Sequence, residues 1–354
     1  MEAVAVDTIA EQLDCLVLAD VFSGSCRREC LPSLCLSSQA VVDMLELSRP
    51  TIIRMGGALI SKQVQGWMSS KMGPVKEHIR VMDVPTRRHD VDWNSTIVVD
   101  ATCAEFARMV DALNVTTEAL TSNRLLRDRV HAISGRIEER VHAELGDECT
   151  EPNISRALAT FASSQKECVV ISSSMSCRNF DTFVSTSVVS SGDLDVAIGQ
   201  CPLRTNIPRS SCSRGVSGID GTISTTIGYA VGCGLSTNLL IGDVAAIHDL
   251  NSVVQLANYL NGGGMVGEVR IPPVKIVVCN NNGGSMFKFV PIGKYSEEVA
   301  YDKNFRTPIE VAFAGAAEMM GLKGSTKVEG LSEMVECLGH NPFLSVSVEL
   351  AYCQ

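Results

Sequence analysis

The sequence predicts an α/β protein with two doubly wound parallel-sheet domains. Three observations lead there. Short, continuously apolar, β-branched runs alternate with helical patterns, as strands buried on both faces of a parallel sheet require. The alternation occurs twice, on either side of a helical stretch carrying charges of both signs. The 354 residues suffice for two ordinary cores.

Along the chain, MEAVAVDTIAEQLD reads as a helix: it lacks the basic start of a targeting peptide. LVLAD (16–20), TIIRM (51–55), HIRVMD (78–83) and TIVVD (96–100) read as strands, with helical patterns near 38–47, 61–70 and 102–112. These form a first domain, 1–112. Residues 113–166 read as a helical linker: NRLLRDRVHAISGRIEERVHAEL (123–145) places apolar residues at helical spacing on a solvated surface, and EPNISRAL (151–158) opens a further helix with Pro in its first turn. The second domain, 167–354, has strands at ECVVIS (167–172), TNLLIG (237–242), VKIVVCN (274–280) and FLSVSVEL (343–350). GTISTTIGYAVGCGL (221–235), made of small residues, reads as a closely packed buried helix.

Composition narrows the function classes. Hydrophobic residues at 45% and charged residues at 20% fit a soluble globular protein. No apolar run is long enough to span a bilayer. A net charge of −10 argues against non-specific nucleic-acid binding but leaves room for locally bound anions. The 14 cysteines contain no C-x-x-C pair, and Cys26, Cys30 and Cys35 have no nearby His to complete a zinc site. They read as small hydrophobes of a reduced intracellular protein. No G-x-G-x-x-G joins a strand to a helix, which removes the main support for a nicotinamide-binding fold.

The chemistry-bearing stretches are GDVAAIHDLN (242–251) and NNNGG (280–284), each following an apolar strand. Asp243 alone reads as a helix cap, and the Asn-Gly run alone as a turn. Together they place a carboxylate, amide oxygens and backbone carbonyls at two strand ends, where open α/β sheets bind ligands. Such hard oxygen donors suit octahedral Mg²⁺ completed by phosphate oxygens. Gly242 allows the backbone a tight turn beside the ligand.

This pattern resembles the thiamine diphosphate-binding fold. More narrowly, SRGVSGIDGTISTTIG (213–228), GDVAAIHDLN and NNNGGSMFKFVP (280–291) resemble the 2-succinyl-5-enolpyruvyl-6-hydroxy-3-cyclohexene-1-carboxylate (SEPHCHC) synthase family of menaquinone and phylloquinone biosynthesis. LADVFSG (18–24), RMGGALISKQV (54–64) and ISSSMSCRNFD (171–181) match the same family. The resemblance spans nearly the whole chain and corresponds to the C-terminal two-thirds of that family. It implies that 1–112 is a middle domain of transhydrogenase-domain-III type, beginning after its first strand, and that 167–354 is the diphosphate domain.

The resemblance implies thiamine diphosphate and Mg²⁺ (or Mn²⁺) as cofactors, with Asp243, Asn281 and the Gly283 carbonyl as metal ligands. Ile219 would hold the cofactor bent, so that its own amino group takes the thiazolium proton. Ser217, Gly242, Gly284 and Met286 would line it. The implied reaction decarboxylates 2-oxoglutarate and adds the remainder to isochorismate. Lys62, Ser174, Arg178 and Arg214 fall on family substrate positions, and Phe287 and Val290 would supply apolar walls. Arg suits these carboxylates because its planar fork engages both oxygens.

Three departures stand out. Gln63 follows Lys62 where the family has Arg; Val244 and Ala245 follow Gly-Asp; and the 38-residue interval from Asp243 to Asn281 is longer than usual, with NGGGMVGE (261–268) in the excess. Such an insertion costs little, because loop-closure entropy grows logarithmically. The family's N-terminal pyrimidine-binding domain, which carries the activating Glu, has no counterpart, so no catalytic Glu is assigned in this chain. The expectation is a fragment or subunit, inactive alone, in a homo-oligomer or with a partner supplying that domain. The expected location is the plastid in a photosynthetic eukaryote and otherwise the cytoplasm. Alternatives are an acetolactate synthase-like enzyme, a 2-oxo-acid decarboxylase, or a non-catalytic remnant.

Overall fold

The computed structural model describes residues 2–25, 30–57, 59–69, 75–83, 94–184, 209–213, 216–263, 265–266, 269–340 and 345–349. The chain divides into two compact units, one built on Met1–Glu144 and one on Leu145–Phe183 with Ile207–Gln354. Both are α/β, and their main sheets are parallel.

The first unit contains helices α1 (Glu2–Leu13), α2 (Pro32–Cys35), α3 (Gln39–Ser48), α4 (Lys62–Ser69), α5 (Cys103–Asp111) and α6 (Thr117–Leu145). Its strands β1 (Thr51–Met55), β2 (Glu77–Met82) and β3 (Ile97–Asp100) form a parallel sheet in the order β1-β2-β3. A capping box starts α5: the Thr102 hydroxyl accepts from Glu105 N–H, and the Glu105 carboxylate accepts from Thr102 N–H. Ala5 and Ile9 of α1 pack with Val81, Phe106 and Val110. Cys30, Cys35, Val41, Leu45, Val64 and Val130 form a second apolar cluster, within which the hydrogen bond from Cys30 lowers the pKa of the Cys35 thiol to about 7. The run 16–20, expected as a strand, lies in none. Leu16 and Leu18 pack against this second cluster instead, so their apolar character serves packing without pairing.

The second unit contains α7 (Glu151–Gln165), α8 (Met175–Phe183), α9 (Thr222–Cys233), α10 (Asp243–His248), α11 (Ser252–Asn261), α12 (Phe313–Met319) and α13 (Leu331–His340). Its sheet uses β4 (Cys168–Ile171), β5 (Ser210–Cys212), β6 (Thr237–Gly242), β9 (Val274–Asn280), β10 (Thr326–Val328) and β11 (Ser345–Glu349). Between β6 and β9 lies a separate antiparallel pair, β7 (Met265–Val266) and β8 (Val269–Arg270), within the long interval. The six strands run parallel in the order β10-β11-β9-β6-β4-β5. Buried Leu239, Ile241, Ile276 and Val278 meet Ile223, Ile227, Ala230 and Leu256 from the helices. The chain steps from β4 outward to β5, then returns to the other side of β4 as β6. Strand order therefore reverses at the β4/β6 boundary, the switch point at which such sheets hold ligands.

Candidate functional site

Three strand ends converge at this boundary. Gly242, the last residue of β6, pairs in register with Cys279 of β9, so the segments following both strands start side by side. Asp243 is buried, and its side chain is oriented from both sides. One carboxylate oxygen accepts Val244 N–H at 2.7 Å and the other accepts Gly283 N–H at 2.7 Å. The second bond joins the two halves of the sequence motif across 40 residues.

The three asparagines have three different tasks. Asn280 Oδ1 accepts Asn282 N–H at 3.2 Å, closing the turn. Asn282, with φ of 59°, accepts Ile309 N–H on its Oδ1 at 2.7 Å and ties down the loop that follows. Asn281 donates Nδ2 to Glu151 Oε1 at 2.7 Å, while its buried Oδ1 has no hydrogen-bond partner among the described residues. Gly283 sits at φ 115°, and a Cβ there would lie 2.3 Å from the Arg306 carbonyl oxygen; only glycine fits. Its own carbonyl accepts Ser285 N–H at 2.9 Å, which leaves one lone pair. Gly284 N–H donates to the Arg306 carbonyl at 2.6 Å.

The end of β4 supplies the third side. Ser174 holds a left-handed φ of 78° and donates its hydroxyl to Met286 Sδ at 2.7 Å. The structure thus brings a predicted substrate residue against a predicted cofactor-lining one. Arg178 follows one turn later on α8 and is half-buried. Phe287 is 38% exposed and meets Phe305 edge-on at 6.2 Å, and Val290 is half-buried. Ile219 packs against the main core cluster, and Ser217 is exposed with φ 59°. Lys62 is exposed at the start of α4 in the first unit, and Arg214 lies outside the described residues.

Sequence reasoning missed three residues. Glu151, at the first position of α7, accepts from Asn281 on one oxygen and from Asn179 Nδ2 on the other, each at 2.7 Å. Asn179 is itself buried on α8. Asp249 is buried and accepts Ile223 N–H at 2.6 Å and Ser224 N–H at 3.0 Å, capping α9 where Gly221 has no side chain to do so. The only local hint of Glu151 was an acid beside Pro at a helix start, which usually signals just the favourable end of the helix dipole.

Burial pushes the Asp243 carboxyl above the usual carboxylate range, against the opposing pull of the N–H bonds from Gly283 and Val244. Burial also raises Glu151, and the Asp243 charge adds to the rise, while the Asn281 and Asn179 bonds oppose it. Two desolvated carboxylates, one of them further disfavoured by the other's charge, form a site that a cation would relieve. Among the described residues, no group of three His, Cys, Asp or Glu side chains could hold a metal. The available donors are instead one carboxylate, the orphaned amide oxygen of Asn281 and backbone carbonyl. This all-oxygen set fits Mg²⁺, which keeps water and phosphate oxygens in its shell.

No family model matches the chain. Curated relatives do. The 2-succinyl-5-enolpyruvyl-6-hydroxy-3-cyclohexene-1-carboxylate synthase of Chlorobium phaeobacteroides (strain BS1) is 30% identical over 328 residues, 91% of this chain and 49% of its own length. The chain is a relative of these synthases. The enzyme of the same name from Chlorobaculum tepidum is 31% identical over 322 residues, covering 90% of this chain and 48% of its own length. That from Rubrobacter xylanophilus is 31% identical over 273 residues, covering 77% and 41%. The resemblance drawn from the motifs therefore extends along the chain, which spans about half the length of the curated relatives it matches.

Proposed function

We propose that this chain is the middle and diphosphate-binding part of a SEPHCHC synthase, an enzyme that joins 2-oxoglutarate to isochorismate with thiamine diphosphate and Mg²⁺. What supports the reading most is the meeting of Asp243, Asn281 and Gly283 at the strand-order reversal, in a chain related to synthases of that name. In this reading Asp243, Asn281 Oδ1 and the Gly283 carbonyl would hold the ion beside the diphosphate. When bound, thiamine diphosphate supplies an electron sink for the carbon freed by decarboxylation. Ile219, braced on the core, would support the bound cofactor, and Ser217, Gly242, Gly284 and Met286 would border it. Arg178 would pair with substrate carboxylates and Ser174 would orient them, while Lys62 and Arg214 stay expectations of the resemblance. Phe287 and Val290 keep water from the reacting carbon. No residue of this sequence is assigned the activating carboxylate, which the family resemblance places on a pyrimidine-binding domain.

Binding tests this without turnover. Mn²⁺ added with thiamine diphosphate should give a bound-ion electron paramagnetic resonance signal in the wild type. Asn281→Ala, which removes the orphaned oxygen, should weaken it by about tenfold or more. Equal binding by both proteins would remove Asn281 from the metal site.

A further inference from the structure

The contact between Glu151 and Asn281 is not needed to close the loop, which Asn280 and Asn282 already hold. It does something else. An amide side chain has two chemically different ends, and a 180° rotation exchanges an oxygen for an NH₂ group. Only one orientation of Asn281 can offer oxygen to a cation. Both Glu151 oxygens accept, and an accepting carboxylate oxygen binds only the Nδ2 end of the amide it meets.

Resting on the metal-site reading above, we propose that Glu151 is a positioning residue. It locks the Asn281 amide with Oδ1 toward the ion site, and through Asn179 it ties that amide to the helix that carries Arg178. The three residues come from three elements: α7, the loop after β9, and α8. Glu151 is itself fixed. The Thr150 hydroxyl accepts Asn153 N–H at the helix start, and Asn153 Nδ2 donates to the carbonyls of Leu145, Gly146 and Glu148 at 2.9–3.1 Å. The turn feeding Glu151 into the site is thereby held from within. Beyond orientation, the carboxylate adds a negative charge behind the neutral amide ligand, as outer partners of metal ligands commonly do.

The arrangement predicts a specific substitution pattern. Glu151→Gln keeps the shape but offers one acceptor and one donor to two amides that both donate. One of them must turn or lose its bond. Glu151→Gln combined with Asn179→Asp repairs the mismatch. The carboxylate placed on α8 by the second change accepts from the new amide on α7, whose oxygen is then free to accept Asn281 Nδ2.

The experiment uses the full 354-residue chain. Mn²⁺ affinity is measured with thiamine diphosphate present, and exchange of the Asn281 side-chain NH₂ is followed by ¹⁵N NMR, assigned through its loss in Asn281→Asp. The wild type should bind Mn²⁺ and show a slowly exchanging NH₂. Glu151→Ala should lose affinity about tenfold or more and exchange rapidly. Glu151→Gln should lose affinity in part, and the double variant should recover it. A wild type that takes up no Mn²⁺ overturns the metal reading and this inference with it. A wild type that binds, with Glu151→Ala within twofold of it, overturns this inference alone. Failure of the double variant to improve on a folded Glu151→Gln also counts against it, and thermal melts identify any variant that has not folded.

Discussion

At the scale of single residues, the site depends on positions where side-chain identity and backbone shape are set together. Gly283 is the clearest. Its φ of 115° is disfavoured for any residue with a Cβ, and the added carbon would sit 2.3 Å from the Arg306 carbonyl oxygen. Its N–H also orients Asp243. Gly283→Ala should therefore cost about 2–4 kcal/mol of stability, from strain and overpacking together. Urea unfolding measures it; a loss below about 0.5 kcal/mol would mean that the loop tolerates another backbone shape. Asp243 and Gly283 were legible in the sequence because an acid and glycines each closed an apolar strand. Glu151 was not, since its partners lie 28 and 130 residues away and nothing in EPNISRAL distinguishes an inward carboxylate from an ordinary first-turn acid.

At the scale of elements, the sequence marked what burial makes apolar and missed what position alone creates. VKIVVCN became β9 without change because a central strand, buried on both faces, must be continuously apolar, and TIIRM became β1 as a half-buried edge strand of the three-stranded sheet. β5 and β10 read SSC and TKV, three residues each, and pair only because they are edges of a sheet already formed. LVLAD failed for the opposite reason, being apolar through packing. The end of α1 shows an electrostatic tie of the same non-local kind. Asp14, at φ 49°, pairs with Arg124 and Arg127 of α6, and the Arg124 hydrogen bond is the main cause holding its carboxyl below the usual range. A depressed carboxylate binds fewer protons folded than unfolded between the two pKa values, so stability falls as pH falls through that window. The contribution of Asp14 is thus complete above about pH 4 and disappears below it. Asp14→Asn should be less stable than wild type at pH 7, and the two should converge as pH falls below the ordinary carboxylate range in chemical denaturation. A difference that stays constant with pH would remove the ion pair from the account, leaving only local geometry.

At the scale of the whole molecule, net charge and site chemistry pull against each other. The chain carries −10, and two carboxylates stand at the proposed diphosphate site, one of them raised by burial and further by the charge of the other. An anionic diphosphate alone meets repulsion there, and salt screens contacts at such short range only weakly. A divalent ion bound there would reverse the local sign of the field. This yields a conditional prediction. Thiamine diphosphate without divalent metal should leave thermal stability unchanged. With Mg²⁺ at about 100 times the dissociation constant, it should add about 2.7 kcal/mol, and a chelator should reverse the gain. The gain should also be local. Hydrogen exchange should slow in α10 and in residues 280–287, which carry the converging donors. It should be unchanged in β1 and β2, whose backbone bonds belong to the first unit's own sheet. Metal-independent stabilisation would mean that the diphosphate is held by cationic side chains instead. Equal slowing in both units would mean that binding tightens the molecule as a whole, and the switch-point crevice would lose its claim to be where the ligand sits.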